Sequence, residues 1–176
     1  MLIKRVPCVY NIYPIDGIVE LKNTNYSSWD YPNPFVLQVS VKENDIDGYQ
    51  HVNNSVYVRW MDECAREHSK ALGIDTADAA ELGYGMAVTD SRISYEAAAY
   101  LDDEVLVGNW ITKCDGRVRA TRAFQIVRVA DGVTLTRATL NYICIKIRTG
   151  RACRMPPLFR EKYVMTTHDS AALDID

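Results

Sequence analysis

The run Asn44-Asp45-Ile46-Asp47-Gly48-Tyr49-Gln50-His51-Val52-Asn53-Asn54-Ser55-Val56-Tyr57 gathers carboxylates, an imidazole and amide side chains directly ahead of a segment with helical periodicity. A helix start carries unpaired backbone N–H groups and roughly half a positive charge, so it can polarise a carbonyl oxygen. An adjacent Asp can attack that carbonyl or deprotonate water beside it. Such a grouping suits acyl transfer or hydrolysis.

Positioning these groups requires a rigid frame, and the flanking sequence supplies one. Ahead of the run, Val36-Leu37-Gln38-Val39-Ser40-Val41 alternates as a strand that begins at Phe35 and ends at Glu43-Asn44-Asp45. Behind it, Tyr57, Trp60, Met61, Cys64, His68, Ala71 and Leu72 recur at spacings of three and four, and Gly73 follows as a stop, which predicts one helix over 53–72. Long strands are expected over 85–97, 104–114, 117–129 and 134–147, with Asp115-Gly116 and Asp131-Gly132 as hairpin turns. Strands of that length twist and curl, leaving a concave face into which one helix fits. The element order is α+β.

Composition sets the outer limits. At 176 residues and 48% hydrophobic content, without a long apolar run, the chain fits one domain and no membrane span. With 20 Lys+Arg against 23 Asp+Glu, the net charge of −3 gives no global reason to expect nucleic acid. The cysteines Cys8, Cys64, Cys114, Cys144 and Cys153 are odd in number, widely spaced and free of C-x-x-C pairs. Neither a disulfide framework nor a zinc site is indicated, and a reducing cytoplasm is the simplest setting. The histidines show no H-x-x-x-H spacing, no glycine-rich phosphate loop occurs, and the polar residues and Pro7 near the start break any secretion signal. Residues 1–34 read as an extension, 35–160 as the domain and 161–176 as a tail.

With these elements in place, the chain resembles the hot-dog fold, specifically the 4-hydroxybenzoyl-CoA thioesterase-like group of acyl-CoA thioesterases, over about residues 35–157. The stretch from Asp45 to Tyr57 is similar to that group's D-x-D-x-x-G-H-V-N-N-x-x-Y. Ile93-Ser94-Tyr95-Glu96 through Asp102-Asp103-Glu104-Val105 resembles a second family segment, and Thr149-Gly150-Arg151-Ala152-Cys153-Arg154-Met155-Pro156 a third. The chain departs in carrying Gln50 where the family has Gly, with Gly48 two residues earlier, and in carrying Ala98 and Ala99 where Pro is common.

The resemblance implies a long curved antiparallel sheet wrapped around one central helix, thioester hydrolysis of an acyl-CoA without a cofactor, and a homodimer or homotetramer. It places the catalytic carboxylate on Asp47, as nucleophile or general base; the bland alternative is an Asp that only shapes a turn or caps the helix. Asp45 reads as supporting or surface. His51 could hold the loop or meet the substrate carbonyl, and Asn53 or Asn54 should cap the helix. Backbone N–H groups from Asn54 through Ser55 to Val56 are the expected carbonyl polarisers, and Tyr57 lines the pocket or packs in the core. Glu63 is explained by ion pairing with Arg59 and Arg66, and Cys64 as a buried thiol. Lys146, Arg148, Arg151 and Arg154 could meet the phosphates of coenzyme A, Arg148 and Arg151 foremost. Two further readings are a thioesterase acting on acyl-carrier protein and a non-catalytic acyl-binding protein of the same fold.

Overall fold

The expected apolar stripe forms α1 (Asn54–Ala71), and Val56, Tyr57, Trp60, Met61, Cys64, Ala65 and His68 are buried along it. The computed structural model describes residues 12–14 and 29–167. Asn53 caps the helix from an extended backbone (φ −61°, ψ 139°), its Oδ1 accepting the Ser55 N–H at 2.9 Å. At the other end, Gly73 takes φ +84° and donates its N–H to the Lys70 carbonyl, the left-handed stop that glycine adopts without a Cβ penalty.

The sheet order is β1-β2-β4-β5-β6-β3. Its members are β1 (Ile12–Pro14), β2 (Phe35–Ser40), β3 (Tyr84–Tyr95), β4 (Glu104–Cys114), β5 (Arg119–Arg128) and β6 (Thr134–Lys146). All neighbouring pairs are antiparallel except β1 with β2, which is parallel. Register shifts at Val88/Asp90, Ile111/Lys113 and Ile126/Val127 are bulges that bend the sheet around α1. Leu37, Val39, Val105, Val107, Phe124, Ile126, Leu135 and Leu140 line the concave face and close on the α1 stripe. This is the hot-dog arrangement.

Two helices were not anticipated: α2 (Thr76–Glu81) and α3 (Pro157–Lys162). Each spans only 6 residues, too few to display a helical period. Their caps were nonetheless in the sequence. Asp75 accepts the Ala77 N–H at 2.8 Å, and Pro156-Pro157 opens α3 with a fixed φ.

The segment before β2 crosses the outer face of the sheet. Trp29 lies edge-on to Trp110 at 5.7 Å, and the Trp110 indole donates to the Pro32 carbonyl at 2.8 Å. Asp30 pairs with Arg137, and its backbone N–H donates to the Gln125 side-chain Oε1 at 2.9 Å. Gly108 is what lets this strap approach, since a Cβ there would sit 2.6 Å from the Trp29 ring. In consequence β4 is buried on both faces and loses the alternation of a half-exposed strand.

A second core lies beyond the C-terminal half of α1, built from Ile74, Ala79, Ile111, Ala120, Cys144, Met155, Phe159 and Tyr163. At its border sits Arg122, only 2% exposed. Its guanidinium is within 3.0 Å of His68 Nδ1, donates to Ser69 Oγ at 3.0 Å and lies 5.4 Å from the centre of the Tyr163 ring. Burial, with the Arg122 charge adding to it, pulls the His68 imidazole down from 6.5 to about 3. Neutral Nδ1 therefore accepts from Arg122. Among the described residues no helix is long and apolar enough to cross a membrane, and no group of His, Cys, Asp and Glu is placed to hold a metal ion.

The loop that carries Asp47 is a small hairpin. Ile46 and Val52 form an antiparallel bridge, the Asp47 N–H donates to the His51 carbonyl at 2.8 Å, and the Gln50 N–H donates to the Asp47 carbonyl at 3.0 Å. Such a turn ends in a left-handed residue that forms a bulge, and Gln50 takes that conformation at φ +63°. Gln50 thus stands in a conformation that glycine takes freely, at a cost of about 1–2 kcal/mol for a residue with a Cβ. Gly48 has open space around it and no positive φ.

Two stability measurements test these features. Gln50→Gly should raise the unfolding free energy in urea by roughly 0.5–1 kcal/mol, relief of strain outweighing the entropy given to the unfolded chain, while Gln50→Val lowers it. His68 is neutral in both states above pH 6.5, and below that only the unfolded chain binds its proton. Stability from this group is complete above pH 6.5 and drains at up to ~1.4 kcal/mol per unit toward pH 3. Relative to wild type, His68→Gln, which keeps an acceptor for Arg122, should flatten the pH dependence of stability over that window.

Candidate active site

A cavity of about 590 Å³ opens at the start of α1, between the hairpin loop and the end of β3. Asp47, His51, Asn53, Asn54 and Tyr57 all line it, joined by Tyr49 from the loop and by Tyr95, Glu96, Ala97 and Ala98 from β3 and beyond. The sequence run thus converges in space. Tyr95 and Glu96 carry no site role in the sequence reading, although they stand in its second matching segment.

The two Asp residues of the loop have opposite surroundings. Asp45 is 4% exposed, ion-pairs with Arg59 and accepts the Lys42 N–H at 3.0 Å, while its carbonyl takes the Asn53 N–H at 2.9 Å. It fastens the loop to the helix. Asp47 is half-buried on the cavity wall, and its Oδ1 accepts the Tyr49 N–H at 2.8 Å. That bond makes Asp47 a turn-forming residue as well, with the carboxylate held in a fixed direction.

Glu96 is the other carboxylate lining the cavity, and it pairs with Arg137. Among the described residues Asp47 has no ion-pair partner. Around it the wall is braced from behind. Tyr57 is 2% exposed and its hydroxyl accepts the Ala99 N–H at 2.9 Å. Burial raises the Tyr57 phenol above its ordinary range, so it stays protonated. Tyr95 donates its hydroxyl to the Asn54 carbonyl at 3.1 Å and packs against Tyr57 at 5.6 Å. Arg128 holds the connection to β4 through the Ala98 carbonyl at 3.1 Å and Asp103 at 3.4 Å.

The helix-start donors are fewer than the sequence suggested. Ser55 donates its N–H and its hydroxyl to Asn53 Oδ1, and the Val56 N–H goes to the Asn53 carbonyl at 2.9 Å. The Asn54 N–H is the helix-start donor without an acceptor among the described residues. His51 is exposed and lies edge-on to Tyr100 at 5.2 Å.

Arg148 and Arg151 stand elsewhere. They follow β6 beyond Lys146, the residue opposite Tyr84, whereas the cavity lies at the Tyr95 end of β3. Eleven strand residues separate the two ends, roughly 36 Å along the chain. Within the chain these arginines do not meet Asp47. On the helix, Glu63 lies 4.0 Å from Arg59, but Arg66 pairs with Asp62 at 3.0 Å instead. Cys64 is fully buried, its thiol donating to the Val107 carbonyl at 3.3 Å and pushed up to about 12 by burial, which leaves it unreactive.

Comparison with known proteins gives the family and the fold. The chain is 23% identical over 129 residues to the long-chain acyl-CoA thioesterase FadM of Escherichia coli, spanning 71% of this chain and 93% of that protein. The fold matches a DHNA-CoA thioesterase from Staphylococcus aureus at TM-score 0.68 and 23% identity, over 73% of this chain and 87% of that one. A second S. aureus protein, solved in complex with CoA, matches at TM-score 0.68 and 18% identity, over 73% and 80% of the two chains. Residues 41–163 match the model of the thioesterase-like superfamily, and the chain belongs to that family.

Proposed function

We propose that this protein is an acyl-CoA thioesterase that cleaves a thioester to the free acid and coenzyme A, with Asp47 as its catalytic carboxylate. One observation carries the assignment: of the carboxylates lining the cavity, Glu96 is paired with Arg137 and Asp47 has no ion-pair partner among the described residues. The family membership and the acyl-CoA thioesterase relatives support the reaction class.

On this reading the substrate carbonyl lies against the start of α1, where the Asn54 N–H and the helix dipole stabilise the oxyanion as charge develops. Asp47 then either attacks the carbonyl carbon, forming an acyl anhydride as the thiolate of coenzyme A leaves, which water hydrolyses to the free acid and the Asp47 carboxylate, or takes a proton from a water that attacks directly and expels the thiolate. Asn53 caps the helix through its Oδ1, which accepts from the Ser55 N–H and hydroxyl. Tyr57 and Tyr95 shape the wall, and the exposed His51 lines the cavity with them.

Arg148 and Arg151 fit this scheme in an oligomer. Among the described residues β3 is an edge strand, 12 residues long, and an open edge of that length favours pairing with a second copy. In a homodimer or homotetramer, the arginines of one protomer can approach the coenzyme A phosphates at the site of another. A reducing cytoplasm suits an acyl-CoA substrate.

The test is release of free thiol from short, branched, long and aromatic acyl-CoAs. At least one should be hydrolysed by the wild type, and Asp47→Asn should lower kcat on it by about 100-fold or more. Hydrolysis of none would remove the enzyme assignment, whereas full activity in Asp47→Asn would keep the enzyme and discard its assigned carboxylate.

A further inference from the structure

A second cavity, of about 320 Å³, lies toward the far end of α1 from Asp47, between α1, α2, α3 and the Tyr84 end of β3. Ile74, Met86 and Phe159 give it apolar walls, while Arg122, Tyr142 and Tyr163 bring polar atoms to it. Its volume falls within the range of small-molecule sites, about 300–1,000 Å³.

Arg122 is the unusual member. A guanidinium carries five N–H donors and a permanent charge, and this one is 2% exposed. Among the described residues its partners are neutral: His68 Nδ1, Ser69 Oγ and the face of Tyr163. His68 cannot share or offset the charge, because burial keeps its ring neutral. Among the described residues no carboxylate pairs with Arg122, and Asp62, which borders the same cavity, is paired with Arg66. Buried charges are ordinarily matched by an opposite charge, so this cation is incomplete.

We propose that the second cavity binds a small carboxylic acid with an apolar body, its carboxylate on Arg122 and its hydrocarbon against Ile74, Met86 and Phe159. The planar fork of a guanidinium matches the two oxygens of a carboxylate, and the three N–H donors beyond those used by His68 and Ser69 suffice for a bidentate pair. Tyr142 adds a donor, since burial pushes its phenol up to about 12 and keeps it protonated. A phosphate ester fits less well. Its second charge would require another cation, and Arg66 at the rim is paired with Asp62. Free fatty and aryl acids have the required chemistry, and they are the class of product that the proposed reaction releases. Binding at this site does not require that reaction.

The test is a titration of full-length protein carrying ¹³C-methyl methionine with octanoate, octanamide and inorganic phosphate. Met86 lines the cavity and reports binding, and Met61, fully buried in the main core, is the reference. Octanoate should shift the Met86 methyl saturably, octanamide should bind about tenfold more weakly or worse, and phosphate should leave Met86 unmoved. Arg122→Leu should weaken octanoate on the order of 10- to 100-fold and abolish its advantage over the amide. Should Arg122→Leu fail to fold, Arg122→Lys, which keeps the charge but not the fork, decides together with the wild-type contrast between acid and amide. The site is overturned if octanoate leaves Met86 in place, if the amide binds as well as the acid, if phosphate produces the same shift, or if a folded Arg122 variant binds octanoate as tightly as wild type. Since none of these readings involves turnover, they stand or fall separately from the thiol-release assay.

Discussion

The helix α1 cannot stand alone: 18 residues with a buried stripe of Val56, Tyr57, Trp60, Met61 and Cys64 would be marginal in water without a partner. Each of those large apolar side chains is worth about 1.5–3 kcal/mol on full burial, and the concave face of the sheet is the surface that provides it. The bulges in β3, β4 and β5 curve the strands so that the stripe is enclosed from several sides. Seating the helix fixes both of its ends. Its start is held at the hairpin loop and the end of β3, and its last turns are held beside Arg122. The two cavities are therefore placed by the same act of burial, one at each end of a rigid rod.

Charge follows from that placement. Asp45 and Asp47 are two residues apart, yet the hairpin turn sends one carboxylate toward Arg59 and leaves the other on the cavity wall. The tyrosines and Arg128 hold the opposing wall by bonding backbone groups, which leaves the first cavity with polar atoms whose directions are already set. Preorganisation of this kind removes the reorganisation a flexible site would need during the reaction.

Much of the frame was legible in the sequence, and the reasons are local. α1 shows its period over five turns, and the long strands are bracketed by Asp-Gly turns, so both appear with ends close to those observed. The loop was legible because its residues are consecutive. Tyr95 and Glu96 were not assigned to the site, since their place depends on where β3 ends relative to a loop some forty residues earlier. The separation of Arg148 and Arg151 from Asp47 likewise depends on strand register, which no local pattern states. Gln50 was recognisable as a departure from glycine, but its left-handed backbone became visible only in the turn it closes. Arg122 left a trace: alternation in Ala120-Thr121-Arg122-Ala123-Phe124 puts it on the face of two core residues.

The strap from Trp29 to Pro32 lies flat on the outside of the sheet, with Gly108 as the recess that receives the Trp29 ring. Under it are Val36, Leu106 and Trp110, apolar residues that would otherwise form a patch on a curved, hydrogen-bonded surface. Bare sheet faces of this kind invite stacking between molecules. A shortened chain beginning at Phe35 would keep every strand of the curved antiparallel sheet and every lining residue of the first cavity, yet lose the cover over this outer face. That truncation would also show in colloidal behaviour, as self-association at high concentration.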